Sequence, residues 1–125
     1  MTNAPTQPTL AQALENIVGC TLSSVTFVAD YVQFAFDGPV LTAYTLPVVS
    51  FGPKHFEPMQ PGYRDSLCQQ IGCRVERIEV DDQHVGVILD GAAAISISLL
   101  DEDYAGPEAL QFLLNENRPE RIWVV

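Results

Sequence analysis

Positive charge is scarce in this sequence: six Lys and Arg stand against sixteen Asp and Glu among 125 residues, a net charge of −10. Binding to a phosphate backbone works by counterion release and needs clustered cations, so nucleic acid is excluded as a partner. An anionic membrane surface repels the chain for the same reason. Long apolar runs are missing too. The most apolar stretch, Val85 to Leu100, is interrupted by Asp90-Gly91 and by two serines, so it does not read as a bilayer span. Residues Met1 to Thr9 carry no Lys or Arg, and no continuous apolar segment follows. No signal peptide is therefore expected, and a cytoplasmic protein follows by default.

Cysteine is sparse and odd in number. Cys20, Cys68 and Cys73 include no C-x-x-C pair, which fits neither a secreted disulfide framework nor, with His55 and His84, a closely spaced metal-ligand set. No metal and no cofactor are expected, and the cysteines read as small apolar packing residues. Cys20 and Cys73 each follow a glycine that ends a helix, where the dipole disfavours a thiolate. Cys68 lies in the first turn of the second helix but has no His near it in sequence. The sequence contains no Gly-rich phosphate loop, no G-x-S-x-G and no H-E-x-x-H, so no catalytic residue is assigned.

What is present is an ordinary apolar content of 47%, which at this length makes one folded domain. The strongest signal is a self-match at an offset of 53 residues. Leu14–Pro47 lies over Leu67–Leu100 without a gap, with seven identical pairs that include Gly19/Gly72, Cys20/Cys73, Asp37/Asp90 and Gly38/Gly91. Ordinary residue frequencies would give roughly two. Apolar positions coincide as well, as in Val25/Ile78, Phe34/Val87 and Phe36/Leu89. Two copies of one supersecondary unit are the physical reading.

Each unit opens on a helix. Thr9 and Gln12 have capping-box spacing before Leu10, Leu14, Ile17 and Val18, and Ser66 and Gln69 repeat that spacing in the second unit. Three strands follow, the first two joined by turns at Ala29-Asp30 and Asp82-Gln83, and the last two by Asp-Gly hairpins. A three-residue loop with a G1 bulge gathers the large apolar residues on one face in both units, so that register is expected in both. The expected fold is α+β: two tandem α-β-β-β repeats forming a mainly antiparallel sheet or split barrel of about six strands, capped by helices.

The single domain divides into a flexible tail over 1–8, unit one over 9–47, a Pro-rich loop over 48–63, unit two over 64–100, and a C-terminal helix and strand over 101–125. Four prolines and two glycines between Pro47 and Tyr63 predict irregular structure there. Pro107 and Glu108 suit a helix start ahead of Leu110, Leu113 and Leu114, and Arg121–Val125 reads as a terminal strand or packed tail.

The segments Ile17-Val18-Gly19-Cys20-Thr21-Leu22 with Phe34-Ala35-Phe36-Asp37-Gly38, and Gln70-Ile71-Gly72-Cys73-Arg74-Val75 with Val87-Ile88-Leu89-Asp90-Gly91, resemble small uncharacterised bacterial domains. Those domains carry an L-I-G-x-x-V start and a later F-x-D-G hairpin. Some look-alikes are toxin-immunity proteins, so the resemblance implies a protein-binding role. It brings no catalytic motif.

Function is therefore expected to be non-enzymatic: an acidic binding module that self-associates or holds a basic protein partner. Residues 81–125 hold nine acidic and two basic side chains, a field that steers a basic partner. Asp101, Glu102 and Asp103, with Trp123, are the candidate partner contacts. The acidic run lacks the Gly-containing loop of a Ca²⁺ site. Trp123, Val124 and Val125 add apolar area at a terminus, which points to a homodimer. The alternative is a small enzyme or ligand-binding protein using a cleft under the 47–63 loop, with His55, Glu57 and Tyr63 as ligand contacts. His84, in the slot that Tyr31 fills in the other unit, reads as a surface strand residue.

Overall fold

The computed structural model describes residues 9–103, 108–114 and 122–125. The expected tail over 1–8, the Gly106-Pro107 helix start and the Asn117–Pro119 stop lie outside the described residues. Helix α1 (Leu10–Leu14) begins as its sequence dictates. The Thr9 hydroxyl accepts from the Gln12 amide at 3.2 Å, and the Gln12 side chain accepts from the Thr9 amide at 2.9 Å. A 3-10 turn over Glu15–Ile17 follows, and Gly19, at φ 87°, ends the element. Helix α2 (Tyr63–Cys68) starts earlier than its cap spacing predicts. Ser66 is inside it, and its hydroxyl donates to the Tyr63 carbonyl at 2.6 Å.

Among the described residues ten strands follow the order β1 (Ser24–Val28), β2 (Tyr31–Ala35), β3 (Val40–Ala43), β4 (Val48–Phe51), β5 (Lys54–Phe56), β6 (Val75–Val80), β7 (His84–Leu89), β8 (Ala93–Ser98), β9 (Leu110–Leu113) and β10 (Ile122–Val124). They make two open, antiparallel five-stranded sheets, β1-β2-β3-β9-β10 and β5-β4-β8-β7-β6, so the class is α+β but the layout is not one sheet or split barrel of six strands. Each sheet joins a three-strand meander to the hairpin that follows the other meander in the chain. Buried side chains of both sheets and both helices, among them Phe34, Phe36, Leu41, Ile95, Ile97, Leu14 and Leu67, form one core.

Three expectations are corrected. The 48–63 segment is irregular only over 57–62: β4 pairs with β5 on one side and β8 on the other, which makes β4 an interior strand. Its prolines bracket the strands, since Pro47 precedes β4, Gly52-Pro53 forms the hairpin turn and Pro58 follows β5. No ladder donor is lost. The expected third helix is strand β9 over the described residues, with Leu110 and Phe112 buried between β3 and β10. Its period is two, and it satisfies the backbone of β3 that would otherwise be an open edge.

The third correction is the hairpin register. In the second unit Val87 faces Ile95 and Val85 faces Ile97, the three-residue loop Asp90-Gly91-Ala92 expected from the pattern. In the first unit Phe34 faces Leu41 and Ala35 faces Val40, so the loop is only Asp37-Gly38. Proline explains the difference. Ala92 takes φ 67° as the third loop residue. Pro39 stands at the matching place, and its ring holds φ near −65°. The structural offset between the halves therefore rises by one residue after the hairpin, which pairs Leu41 with Ile95 and Ala43 with Ile97.

The two segments that leave the helices meet across an antiparallel bridge between Thr21 and Arg74. Gly19 donates to Val75 and Gly72 to Leu22, both at 2.8 Å. Val75 donates to Cys20 and Leu22 to Cys73, both at 2.9 Å. Each bond of a pair becomes the other on a shift of 53 residues.

Candidate functional site

Strand alternation gives the outer face of the second sheet a cluster of polar residues beside Val48, Ile88 and Ala94. Val49, Val85, Ile95 and Ile97 point into the core, which leaves Ser50, His84, Ser96 and Ser98 on the opposite face. His55 of β5 stands opposite Ser50, and His84 opposite Ser98. Asp30 in the β1–β2 turn, the Tyr44–Leu46 connection, Glu57 and Asp103 wall this face into a groove of about 750 Å³. Among the described residues three carboxylates, Asp30, Glu57 and Asp103, line it, and no Lys or Arg does.

Several contacts fix the groove. Ser98 donates to the Asp103 carboxylate at 2.5 Å, which ties the 3-10 turn Asp101–Asp103 to the sheet. The Asp81 carboxylate accepts the amides of Gln83 at 2.7 Å and His84 at 2.8 Å, and the His84 Nδ1 lies 3.9 Å away. Those backbone donors, the Gln83 amide first, hold the Asp81 carboxyl below its ordinary range. Tyr44 packs against Tyr31 with ring centroids 5.4 Å apart, and burial first, then Glu108 and Tyr31, pushes its phenol up. Thr45 is 6% exposed, and its hydroxyl has no hydrogen-bond partner among the described residues.

The expected ligand trio is split. His55 and Glu57 share the groove, but Tyr63 does not. It is buried, its hydroxyl donates to the Pro47 carbonyl at 2.5 Å, and burial pushes its phenol well above the usual range. Tyr63 braces the start of β4 and lines a second cavity of about 390 Å³ with Phe27, Met59 and Arg64. Among the expected partner contacts, Glu102 is exposed and Asp103 faces the groove. Asp101 begins the same turn, and its side chain lies outside the description. Trp123 is corrected: it is 9% exposed, a core residue 6.1 Å from the Phe112 ring, and offers no apolar patch to a partner.

Sequence reasoning set His84 aside and missed Asp30, Tyr44 and the serines. Ile95-Ser96-Ile97-Ser98 carried the signal for the serines, because its alternation marks one face as polar. All three cysteines are free thiols, and burial, then Asp90, pushes the Cys73 thiol up. Among the described residues no group of three His, Cys, Asp or Glu is placed to hold a metal ion, and no helix is long and apolar enough to cross a membrane. No family model, curated protein or solved structure matches the chain.

Proposed function

We propose that the chain is a non-enzymatic binding module, acting in the cytoplasm, that takes a basic segment of a partner protein into the groove on the outer face of the second sheet. The observation that carries this reading is the groove's charge: three carboxylates and no Lys or Arg among its described lining residues, in a chain of net charge −10. Such a field raises the association rate of a cationic partner and fixes its orientation. The serines and Tyr44 supply hydrogen-bonding groups beside the carboxylates. A toxin-immunity role, in which the module masks a basic surface of a toxin, accords with the resemblance of the two helix-to-hairpin segments. The two halves are read as duplicated units with exchanged hairpins, a reading supported by the seven identities and the reciprocal bonds around Thr21 and Arg74.

The test is an amide NMR titration with a Lys/Arg-rich peptide and a Glu-rich control of equal length. The basic peptide shifts Ser50, His55, Ser96 and Ser98, more strongly at low salt than at ~0.15 M. The triple substitution Asp30→Asn, Glu57→Gln, Asp103→Asn removes the response. Shifts spread evenly over the surface, or an equal response to the Glu-rich peptide, overturn the reading.

A second reading, a homodimer, rests on β10. It is the edge strand of the first sheet, and its Val124 and the following Val125 are 47% and 40% exposed. Sedimentation that gives a single species of 13.7 kDa at micromolar concentration rejects it.

A further inference from the structure

We propose that the smaller cavity, between the β1–β2 turn and the start of α2, binds a free apolar α-amino acid. Its walls are mostly apolar: Phe27, Val28, Val32, Leu46 and Met59 line a space of about 390 Å³. That is the lower end of the size range of small-molecule sites, so it suits one compact ligand and not a peptide. Met59 is 94% exposed at φ 76°, which leaves a flexible thioether in water beside an apolar space it can cover.

Charge selects the ligand. Two charged residues line the cavity, consecutive and opposite in sign: Arg64 and Asp65. The Arg64 guanidinium lies 5.5 Å from the centre of the Phe27 ring. Neither residue belongs to either ion pair found among the described residues, Arg77–Glu79 and Asp81–His84. In a chain with sixteen acids and six bases, an arginine that meets no carboxylate among the described residues is open to an anion. A guanidinium beside an apolar wall takes a carboxylate through a two-point hydrogen bond. Asp65 in turn takes an ammonium.

A plain carboxylate would meet Asp65 and the field of the acidic chain, and a plain amine would leave Arg64 unpaired. A molecule with one carboxylate, one ammonium and an apolar side chain satisfies both charges and fills the space against Phe27, Val32 and Leu46. Branched aliphatic and aromatic amino acids have that form.

The test uses the intact chain and amide NMR, following Phe27, Gln60 and Arg64, which lie outside the set that reports on the acidic groove. L-phenylalanine and L-leucine at millimolar concentration give saturable shifts there. 3-Phenylpropionate, which lacks the ammonium, and phenethylamine, which lacks the carboxylate, bind roughly tenfold more weakly. Arg64→Met and Asp65→Asn each weaken phenylalanine binding to a similar degree, and Val28→Trp, on the solvent-facing rim, blocks the cavity with the circular dichroism unchanged. The absence of saturable shifts with both amino acids overturns the proposal. So does 3-phenylpropionate binding as tightly as phenylalanine, and so does undiminished binding to a folded Arg64→Met chain. If a variant fails to fold, the analogue series on the unaltered chain decides the matter.

Discussion

Thr45 and Tyr63 show opposite ways of burying a hydroxyl. Thr45 Oγ1 is buried on the groove wall without a hydrogen bond among the described residues, so its desolvation is uncompensated. Replacing such a group by an apolar one of the same shape removes a cost of about 1–3 kcal/mol. Thr45→Val should therefore raise stability by about 1 kcal/mol in urea unfolding. A loss would mean that the hydroxyl has a partner. Tyr63 is the reverse case, because its hydroxyl satisfies the Pro47 carbonyl. Tyr63→Phe should cost about 1–3 kcal/mol by leaving that carbonyl unpaired. The same residue sets a pH dependence. Its phenol titrates higher in the folded chain than the ordinary 10.0. The stability it contributes is fully present below pH 10.0 and is lost as pH rises toward the folded value, since only the unfolded phenol ionises in that window. Alkaline unfolding curves of the Tyr63→Phe chain should fall less steeply there. Tyr44 and Cys73, raised as well, add to the alkaline loss.

Among the elements, the two Asp-Gly hairpins are one motif in two registers, and a single side chain decides between them. Ala92 is held at φ 67° in the three-residue loop, where glycine carries no steric penalty. Ala92→Gly should stabilise the chain by about 0.5–1 kcal/mol, measured by thermal unfolding. A destabilised variant would show that backbone entropy outweighs the relieved strain. Pro39 was visible in the sequence, and its fixed φ was enough to forbid the longer loop in the first unit. The two meanders, the Thr9 cap, the turns at Ala29-Asp30 and Asp82-Gln83 and the terminal strand were legible because local chemistry and hydrophobic period agreed there. Strands β4, β5 and β9 were not. Val48-Val49-Ser50-Phe51 is only four residues long, and the density of proline around it outweighed its β-branched content. Leu110, Leu113 and Leu114 satisfy a helical spacing, whereas the burial of Leu110 and Phe112 is decided by the free edge of β3. Half of the candidate site was legible. His55, Glu57 and Asp103 stand out as charged or titratable residues, but only a sheet register places His84 opposite Ser98 and brings Asp30 to the same rim.

At the scale of the whole molecule, the strand order sets the expected cooperativity. The first sheet is β1-β2-β3 completed by β9-β10, and the second is β6-β7-β8 completed by β4-β5. Neither half of the chain can close its own sheet from consecutive strands. Opening one sheet releases a hairpin whose connections run into the other, and the two share a single core. Unfolding of one half alone would expose Phe34, Phe36 and Leu41, or Val87, Ile95 and Ile97, with no compensating contact. Fully burying one such side chain contributes about 1.5–3 kcal/mol, so a half-folded state loses several such terms at once. The chain should therefore unfold as one two-state unit despite its two sheets. Trp123 is the single tryptophan and lies in the first sheet, packed against Phe112, so its fluorescence reports on that sheet. Amide exchange at Val85, Val87, Ile95 and Ile97 reports on the second. The urea midpoint followed by Trp123 fluorescence should coincide with that from far-UV circular dichroism. Exchange at the four valine and isoleucine amides should give the same opening free energy as exchange at Phe34 and Leu41. Two separated transitions, or a second sheet that remains protected after the Trp123 signal is lost, would show that the sheets unfold independently and that β4-β5 and β9-β10 do not couple them.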